Sequence, residues 1–175
     1  MFHFIKRELE TVFVHRFSNA TMPVTRLPIN CGHYWGLNGL LIGYFLFHPL
    51  YQEPQRYEGM NWILAGVFLV AEGLNLQTHL ILRDLRPQGT KKRGVPQGAG
   101  FGLVSCANYS WELVAWGAFA VLSQCFTSYL FLLVSFVTLV DWAKTRHRRY
   151  LKEFDGKEGR PLYPPGRKAL IPFLL

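Results

Sequence analysis

Three polar side chains interrupt an apolar stretch in the second half of the chain. In LVSCANYSWELVAW, residues 103–116, they are Asn108, Tyr109 and Glu112. An amide can hold amide or hydroxyl groups of a ligand, a phenol can donate a proton, and a carboxylate can orient a donor or pair with a cation. These residue types suit the binding and protonation of a substrate. A tyrosine placed at a membrane interface is the structural alternative for Tyr109.

A second set of polar residues follows helical spacing in WILAGVFLVAEGLNLQTHLILRDLR, residues 62–86. Its members recur at steps of 3, 4, 4 and 3, and they are Glu72, Asn75, His79, Arg83 and Arg86. Such steps place all of them on one helix face. A charge in mid-membrane costs roughly 2.5 to 3.5 kcal/mol on insertion scales, so this face should turn toward protein or a cavity. An interhelical hydrogen-bond seam is the alternative, but the length of the stripe favours a ligand cavity.

The third polar region is the basic stretch TRHRRYLKEF, residues 145–154. It contains Arg146, His147, Arg148, Arg149 and Tyr150. Arginine can bind phosphate groups through paired hydrogen bonds, so the stretch suits an anionic ligand. A positively charged cytosolic flank of a membrane helix is the alternative.

Apolar runs predict an all-α fold in a membrane. A membrane crossing needs roughly 20 apolar residues. Residues 34–51 and 62–86 are each about long enough for one crossing. Residues 104–143 are long enough for two, which we expect to form a helical hairpin with its turn at 123–125. An amphipathic helix is expected before them over residues 2–17, with apolar positions Phe2, Ile5, Leu9, Val12, Phe13 and Phe17. The fold class is therefore a polytopic transmembrane helix bundle of about four crossings plus an N-terminal amphipathic helix.

The distribution of charge supports this topology. The net charge is +8, and 14 of the 19 lysines and arginines lie in residues 83–93 and 144–168, beside the apolar runs. The basic side should be cytosolic, so all three polar regions open at one membrane face and would suit a polyanionic ligand. Nucleic-acid binding is not expected, because the aromatic residues lie mainly inside the apolar runs. Three cysteines without CxxC spacing predict neither a disulfide framework nor a zinc site.

Six stretches carry a family resemblance across residues 1–175. FHFIKRELETVFVHRFSNATMP, HPLY, LRDLRPQG, VSCANYSWE, WAKTRHRRYLKEF and RKALIPFLL resemble the very-long-chain trans-2-enoyl-CoA reductase branch of the steroid 5α-reductase family. The resemblance implies that the chain is the C-terminal membrane domain of such a protein. The family's N-terminal ubiquitin-like region and first membrane helices are expected to be absent.

The family implies reduction of trans-2-enoyl-CoA to saturated acyl-CoA with NADPH, the final step of very-long-chain fatty acid elongation. The enzyme would lie in the endoplasmic reticulum membrane with its active site facing the cytosol. Its partners would be the long-chain enoyl-CoA substrate, membrane lipid and other elongation enzymes. By resemblance, Tyr109 is the catalytic proton donor and Lys6 a second catalytic residue, for which an exposed helix lysine is the alternative. The cofactor-binding residues implied are Asn75, His79, Arg86, Asn108, Glu112, Arg146 and Tyr150.

Other functions remain open at this point. A steroid or polyprenol reductase would share the cofactor site and differ in substrate. A non-catalytic membrane subunit of the elongation complex would keep the fold without turnover. A membrane methyltransferase with a similarly basic C-terminal helix would prefer S-adenosylmethionine over NADPH.

Overall fold

The structure is a computed structural model that describes residues 1–16, 21–55, 57, 59–86 and 94–175. In chain order its helices are α1 Phe2–Phe13, α2 Arg26–Cys31, a π-helix Gly32–Ile42, α3 Gly43–Leu46, α4 Met60–Asp84, α5 Ala107–Ser123 and α6 Phe126–Glu153. Within the described residues there is no strand, only two isolated bridges. The all-α fold class is confirmed.

Helix α1 is amphipathic as expected, but its polar face is the buried one. His3 and Glu10 are buried at 6% and 2% exposure, and the Lys6 side chain is largely buried with them. The exposed face carries Phe2, Ile5, Leu9, Val12 and Phe13. The helix ends at Phe13, and Phe17 lies outside the described residues.

The helical structure expected at residues 34–51 begins and ends earlier in the chain. Helical structure runs from Arg26 through the π-helix to Leu46. Pro28 lies in the first turn of α2, where its missing N–H group would have no helical partner. Pro49 disfavours helical geometry at His48, so the run ends before the HPLY stretch.

The helix predicted for the second crossing and the two helices predicted for the hairpin form close to where the sequence predicts them. Helix α4 covers Met60–Asp84, and α5 and α6 are separated only by Gln124 and Cys125. At this turn Ser123 donates a hydrogen bond to the Ser128 hydroxyl at 3.0 Å. By length and composition, α4 and α6 are each able to cross a membrane.

The chain divides into two compact units. The first comprises Met1–Ser18, Ala71–Glu112 and Thr138–Leu175, and the second comprises Asn19–Val70 and Leu113–Val137. The second unit has a core of Ile42, Trp116 and Phe131, and the rings of Trp116 and Phe131 lie 4.5 Å apart. All the polar regions singled out above belong to the first unit.

The C-terminal tail fixes the segment that leads into α5. The backbone N–H groups of Ser105 and Cys106 donate to the carbonyls of Lys168 and Ala169 at 2.8 and 3.1 Å. Ser110 donates to the carbonyl of Leu170 at 2.6 Å. The RKALIPFLL and VSCANYSWE stretches are therefore one structural element, which sets the position of Asn108 and Tyr109.

A glycine turn packs against the start of α5 in the same unit. In GAGFG, Gly100 has φ +95°, and a Cβ there would lie 3.3 Å from the Ala107 Cβ. The Trp111 indole donates to the Ala99 carbonyl at 2.9 Å. The GAGFG stretch, which does not have the spacing of a dinucleotide-binding loop, has a packing role here.

Substitution Gly100→Ala should destabilise the protein, because it adds a methyl group in close contact and imposes a left-handed backbone on alanine. The expected loss is roughly 1–3 kcal/mol, seen as a lower thermal unfolding temperature in detergent. Gly102→Ala is the matched control, since a Cβ at Gly102 meets no atom within 4 Å. Equal unfolding temperatures for the two variants would contradict this account of the turn.

Candidate active site

The buried face of α1 meets the polar stripe of α4 through two carboxylates. Glu72 lies 2.6 Å from His3 Nδ1 and 2.9 Å from Lys6 Nζ. Glu10 lies 3.4 Å from Lys6 Nζ and 3.0 Å from His79 Nδ1. Both carboxylates are 2% exposed. The part of the stripe from Glu72 to His79 therefore faces α1, which supplies partners for both residues.

Asn75 connects this ion-pair cluster to α5. Its Oδ1 accepts a hydrogen bond from Lys6 Nζ at 2.6 Å. Its Nδ2 donates to the Asn108 carbonyl at 2.9 Å and to Glu112 at 3.2 Å. Glu112 also lies 3.5 Å from the Nε2 atom of His3. Four residues predicted for the site, Lys6, Asn75, Asn108 and Glu112, thus form one network.

Tyr109 is paired with Arg146 of α6. Arg146 Nη2 donates to the Tyr109 hydroxyl at 2.9 Å, and its guanidinium carbon lies 4.9 Å from the centre of the tyrosine ring. The sequence supplied Lys6 as a second catalytic residue and Arg146 as a cofactor residue. In the structure the cation on the Tyr109 hydroxyl is Arg146, and Lys6 contacts Asn75 instead.

Asn108 offers an unfilled hydrogen-bond acceptor. The residue is 6% exposed, and its Oδ1 is buried with no hydrogen-bond partner among the described residues. A buried carbonyl oxygen without a donor costs about 1–3 kcal/mol, so it is suited to a ligand that brings an N–H group. The amide of a nicotinamide is a group of this kind.

The other predicted cofactor residues have different partners. Arg86 donates to the Arg16 carbonyl at 2.6 Å, and Arg16 in turn donates to the carbonyl of Arg83 at 3.2 Å. Tyr150 is buried at 2% exposure and packs against Phe154 and Tyr163. The structure therefore gives the Tyr150 ring an aromatic packing role.

Several residues of the site were missed by sequence reasoning. His3 and Glu10 are two of them. They lie three residues before and four residues after the predicted Lys6, the same steps that separate Glu72, Asn75 and His79. Matching polar stripes on these two helical segments could have indicated that the two helices pack against each other. Ser105 contacts both His147 Nδ1 and the Tyr163 hydroxyl at 2.6 Å. No sequence spacing signals those contacts.

Glu10, His15 and His79 deserve comparison with a metal site. Each offers one potential ligand atom, and these atoms lie within 4.8 Å of one another. However, Lys6 and Arg7 both lie 3.4 Å from the Glu10 carboxylate and balance its charge. Ion pairing accounts for the cluster.

Two groups of this cluster have shifted pKa values. Burial alone would raise the pKa of Glu10, but the contact with His79 and the charges of His79, Lys6 and Arg7 outweigh it and lower the pKa to about 2. Burial, followed by the charges of His79 and Arg7, lowers the pKa of His15 to about 4. Glu10 is therefore ionised and His15 neutral at pH 7.

Comparison with known families gives one match to a family model. The family is described as 3-oxo-5-alpha-steroid 4-dehydrogenase, and the match covers residues 20–175. It includes α4, α5 and α6 with the Asn75, Asn108 and Tyr109 positions.

Curated relatives are similar over nearly the whole chain. A Schizosaccharomyces pombe protein named as an enoyl reductase is 46% identical over 179 residues, covering 100% of this chain and 57% of the relative. The very-long-chain enoyl-CoA reductase of Dictyostelium discoideum is 44% identical over 176 residues, covering 99% of this chain and 55% of the relative. A Caenorhabditis elegans protein named as a very-long-chain enoyl-CoA reductase is 42% identical over 185 residues, covering 99% and 56%. The chain thus spans little more than half the length of these relatives.

Stability should fall as the pH is lowered from 6.5 toward 4, because the unfolded chain protonates His15 there and the folded protein does not. The pKa of His15 falls from 6.5 to about 4, and each pKa unit corresponds to about 1.4 kcal/mol. Because the ring is partly exposed and solvent screens it, we expect the free energy of unfolding to fall by roughly 2 kcal/mol. A further loss should follow between pH 4.5 and 2 as Glu10 protonates. Both losses can be measured as the free energy of unfolding by denaturant across this pH range.

His15→Gln should flatten the pH dependence between 6.5 and 4 and leave the lower step in place. His48→Gln, in the other unit, should keep the wild-type curve. An unchanged slope in His15→Gln would show that His15 is not held neutral by the fold.

Proposed function

Because the chain belongs to the 3-oxo-5-alpha-steroid 4-dehydrogenase family, we propose that it takes part in the NADPH-dependent reduction of trans-2-enoyl-CoA to saturated acyl-CoA. The names of the relatives in Dictyostelium discoideum and Caenorhabditis elegans support an enoyl-CoA substrate. Within fatty acid elongation this would be the last step of each cycle. Partnership with other elongation enzymes is part of the same proposal.

The observation that carries this proposal is the contact of Arg146 with the Tyr109 hydroxyl. Tyr109 directly follows Asn108, whose amide oxygen has no partner among the described residues. A proton donor supported by a cation lies on the same helix turn as a potential cofactor contact. This combination suits reduction of a double bond conjugated to a carbonyl group, because the reaction needs both a hydride and a proton.

The protein's part in the reaction is proton donation and charge stabilisation. NADPH, when bound, supplies the hydride that adds to C3 of the enoyl group. The Tyr109 hydroxyl donates the proton that the product gains at C2, and Arg146 stabilises the phenolate that remains. A fixed hydrogen-bond donor acts well here because it needs no reorganisation as charge develops.

For the cofactor, we propose that Asn108 Oδ1 accepts from the nicotinamide amide. Glu112 and Asn75, which are hydrogen-bonded to each other, line the same side. Arg86 is proposed for the phosphates, where a guanidinium can bind two oxygens at once. His79 and Tyr150 stay as cofactor residues expected from the family resemblance.

We further propose a multi-pass protein of the endoplasmic reticulum membrane with four crossings. The segments are residues 26–46, α4, α5 and α6, with the basic flanks on the cytosolic side. The exposed apolar face of α1 suits contact with membrane lipid, because a soluble surface would not gather so many large apolar side chains on one helix face.

A steroid or polyprenol reductase is the second candidate. The description of the matching family, 3-oxo-5-alpha-steroid 4-dehydrogenase, favours it. The two candidates share the hydride and proton steps and differ in the acceptor. Turnover of a 3-oxo-4-ene steroid, a polyprenol and a long-chain trans-2-enoyl-CoA by one preparation would distinguish them.

Tyr109→Phe should lower NADPH oxidation with a long-chain trans-2-enoyl-CoA by about 100-fold or more, because general acid catalysis contributes at least that much. NADPH binding should stay within about twofold, since the variant keeps Asn108 and Glu112 and loses only a hydroxyl group. Steady-state rates and cofactor fluorescence in detergent measure the two effects.

Tyr129→Phe, in the second unit, is the matched control and should keep the wild-type rate. Full activity in Tyr109→Phe would remove Tyr109 from the reaction. A wild-type protein that prefers the steroid would replace the proposed substrate with the second candidate.

A further inference from the structure

We propose that Glu72 is a positioning residue that acts on the site through Lys6. The inference rests on the proposed function, since Lys6 donates a hydrogen bond to Asn75, which is proposed to line the cofactor side of the site. Glu72 does not belong to the set of site residues expected from the family resemblance. Its contacts single it out.

The Lys6 ammonium lies beside three oxygen atoms, one through a hydrogen bond and two through ion pairs. Its nitrogen lies 2.6 Å from Asn75 Oδ1, 2.9 Å from Glu72 Oε2 and 3.4 Å from Glu10 Oε1. The carboxylates of Glu72 and Glu10 therefore attract the Lys6 ammonium while it donates its hydrogen bond to Asn75.

Glu72 is the closer of the two carboxylates and lies beside Asn75 on α4. Residues three apart on a helix share a face, so Lys6 bridges neighbouring acceptors of one helix turn. Glu10 lies farther from the Lys6 ammonium, at 3.4 Å against 2.9 Å for Glu72, and it is also close to His79 and Arg7. We assign the main anchoring of Lys6 to Glu72 for this reason.

A second contact connects Glu72 to the site through His3. The His3 ring lies 2.6 Å from Glu72 at Nδ1 and 3.5 Å from Glu112 at Nε2. Glu112 in turn accepts from Asn75 at 3.2 Å. Loss of the Glu72 charge should therefore disturb the network at Lys6 first and at Glu112 less directly.

Because these contacts are buried, the loss of one partner should be costly. Glu72 is 2% exposed, and the Lys6 side chain is 9% exposed. Removing one partner of a buried ion pair leaves the other charge uncompensated and is more disruptive than removing both. The pair should consequently behave as a unit when either residue is replaced.

The test is a double-mutant cycle with Glu72→Gln and Lys6→Met. Glu72→Gln keeps the size of the side chain and removes its charge. We expect it to lower kcat for a long-chain trans-2-enoyl-CoA about tenfold in the wild-type background and less than about twofold in Lys6→Met, because contacting residues are not additive. KM for the enoyl-CoA should change little, since Glu72 acts on Lys6 and not on the substrate.

Thermal unfolding of the same four proteins provides a readout without turnover. Each single variant should unfold at a lower temperature than the wild type, and the double variant should recover part of the loss. Glu72→Asp, which keeps the charge on a shorter side chain, should lose less activity than Glu72→Gln. Glu8→Gln, an exposed carboxylate on α1, is the control and should change neither kcat nor unfolding.

Two outcomes would overturn the role of Glu72. One is wild-type kcat in Glu72→Gln, and the other is an equal loss in the presence and absence of Lys6. If the changes in unfolding temperature of the two single variants simply add in the double variant, the pairing of Glu72 with Lys6 is also excluded, whatever the substrate. A wild-type protein with no enoyl-CoA turnover but strongly non-additive unfolding would refute the proposed function and leave the Glu72–Lys6 contact standing.

Discussion

The ion pairing of Glu72 and Glu10 with α1 is the interaction on which the rest of the first unit depends. Carboxylates at 2% exposure cannot keep their charge without partners, and breaking a buried pair costs about 3–5 kcal/mol. Lys6, His3 and His79 are the partners, so α1 must present its polar face to α4. Its apolar face is then left outward, an arrangement that a membrane tolerates and that water does not.

The orientation of α1 has a direct effect on the chemistry. Lys6 reaches Asn75 only because the polar face is buried, and Asn75 then holds the carbonyl of Asn108 and the carboxylate of Glu112. The start of α5 is fixed independently by the C-terminal tail, through the backbone of Ser105 and Cys106. Two separate constraints, one ionic and one of backbone hydrogen bonds, therefore meet at the turn that carries Asn108 and Tyr109.

Spacing alone was enough to predict which helix face carries part of this network. The steps of 3 and 4 placed Glu72, Asn75 and His79 on one helix face, and all three are buried there. The predicted hairpin, with its turn at 123–125, brings residues that are similarly far from the turn to a similar depth, and Arg146 on its second helix contacts the hydroxyl of Tyr109 on the first. Periodicity and helix rise are local properties, which is why a single sequence contains them.

The sequence did not indicate which side chains would contact each other, because tertiary packing decides this. The choice of Arg146 over Lys6 as the cation on Tyr109 depends on which side chain reaches the hydroxyl, and spacing does not encode this. Arg83 belongs to the predicted stripe by spacing but pairs with Asp84 at the end of α4, where the helix stops. The contact of Ser105 with Tyr163 joins positions 58 residues apart and has no local signature.

The contact between the Lys6 ammonium and the Glu72 carboxylate can be measured directly by solid-state nuclear magnetic resonance. Protein labelled with ¹⁵N at lysine Nζ and ¹³C at glutamate Cδ would be reconstituted in lipid bilayers, and the dipolar coupling between the two nuclei recorded. The account predicts strong short-range coupling that is lost in Lys6→Met and reduced in Glu72→Gln. Coupling that is absent in the wild type, or unchanged in Lys6→Met, would contradict the buried pairing of α1 with α4.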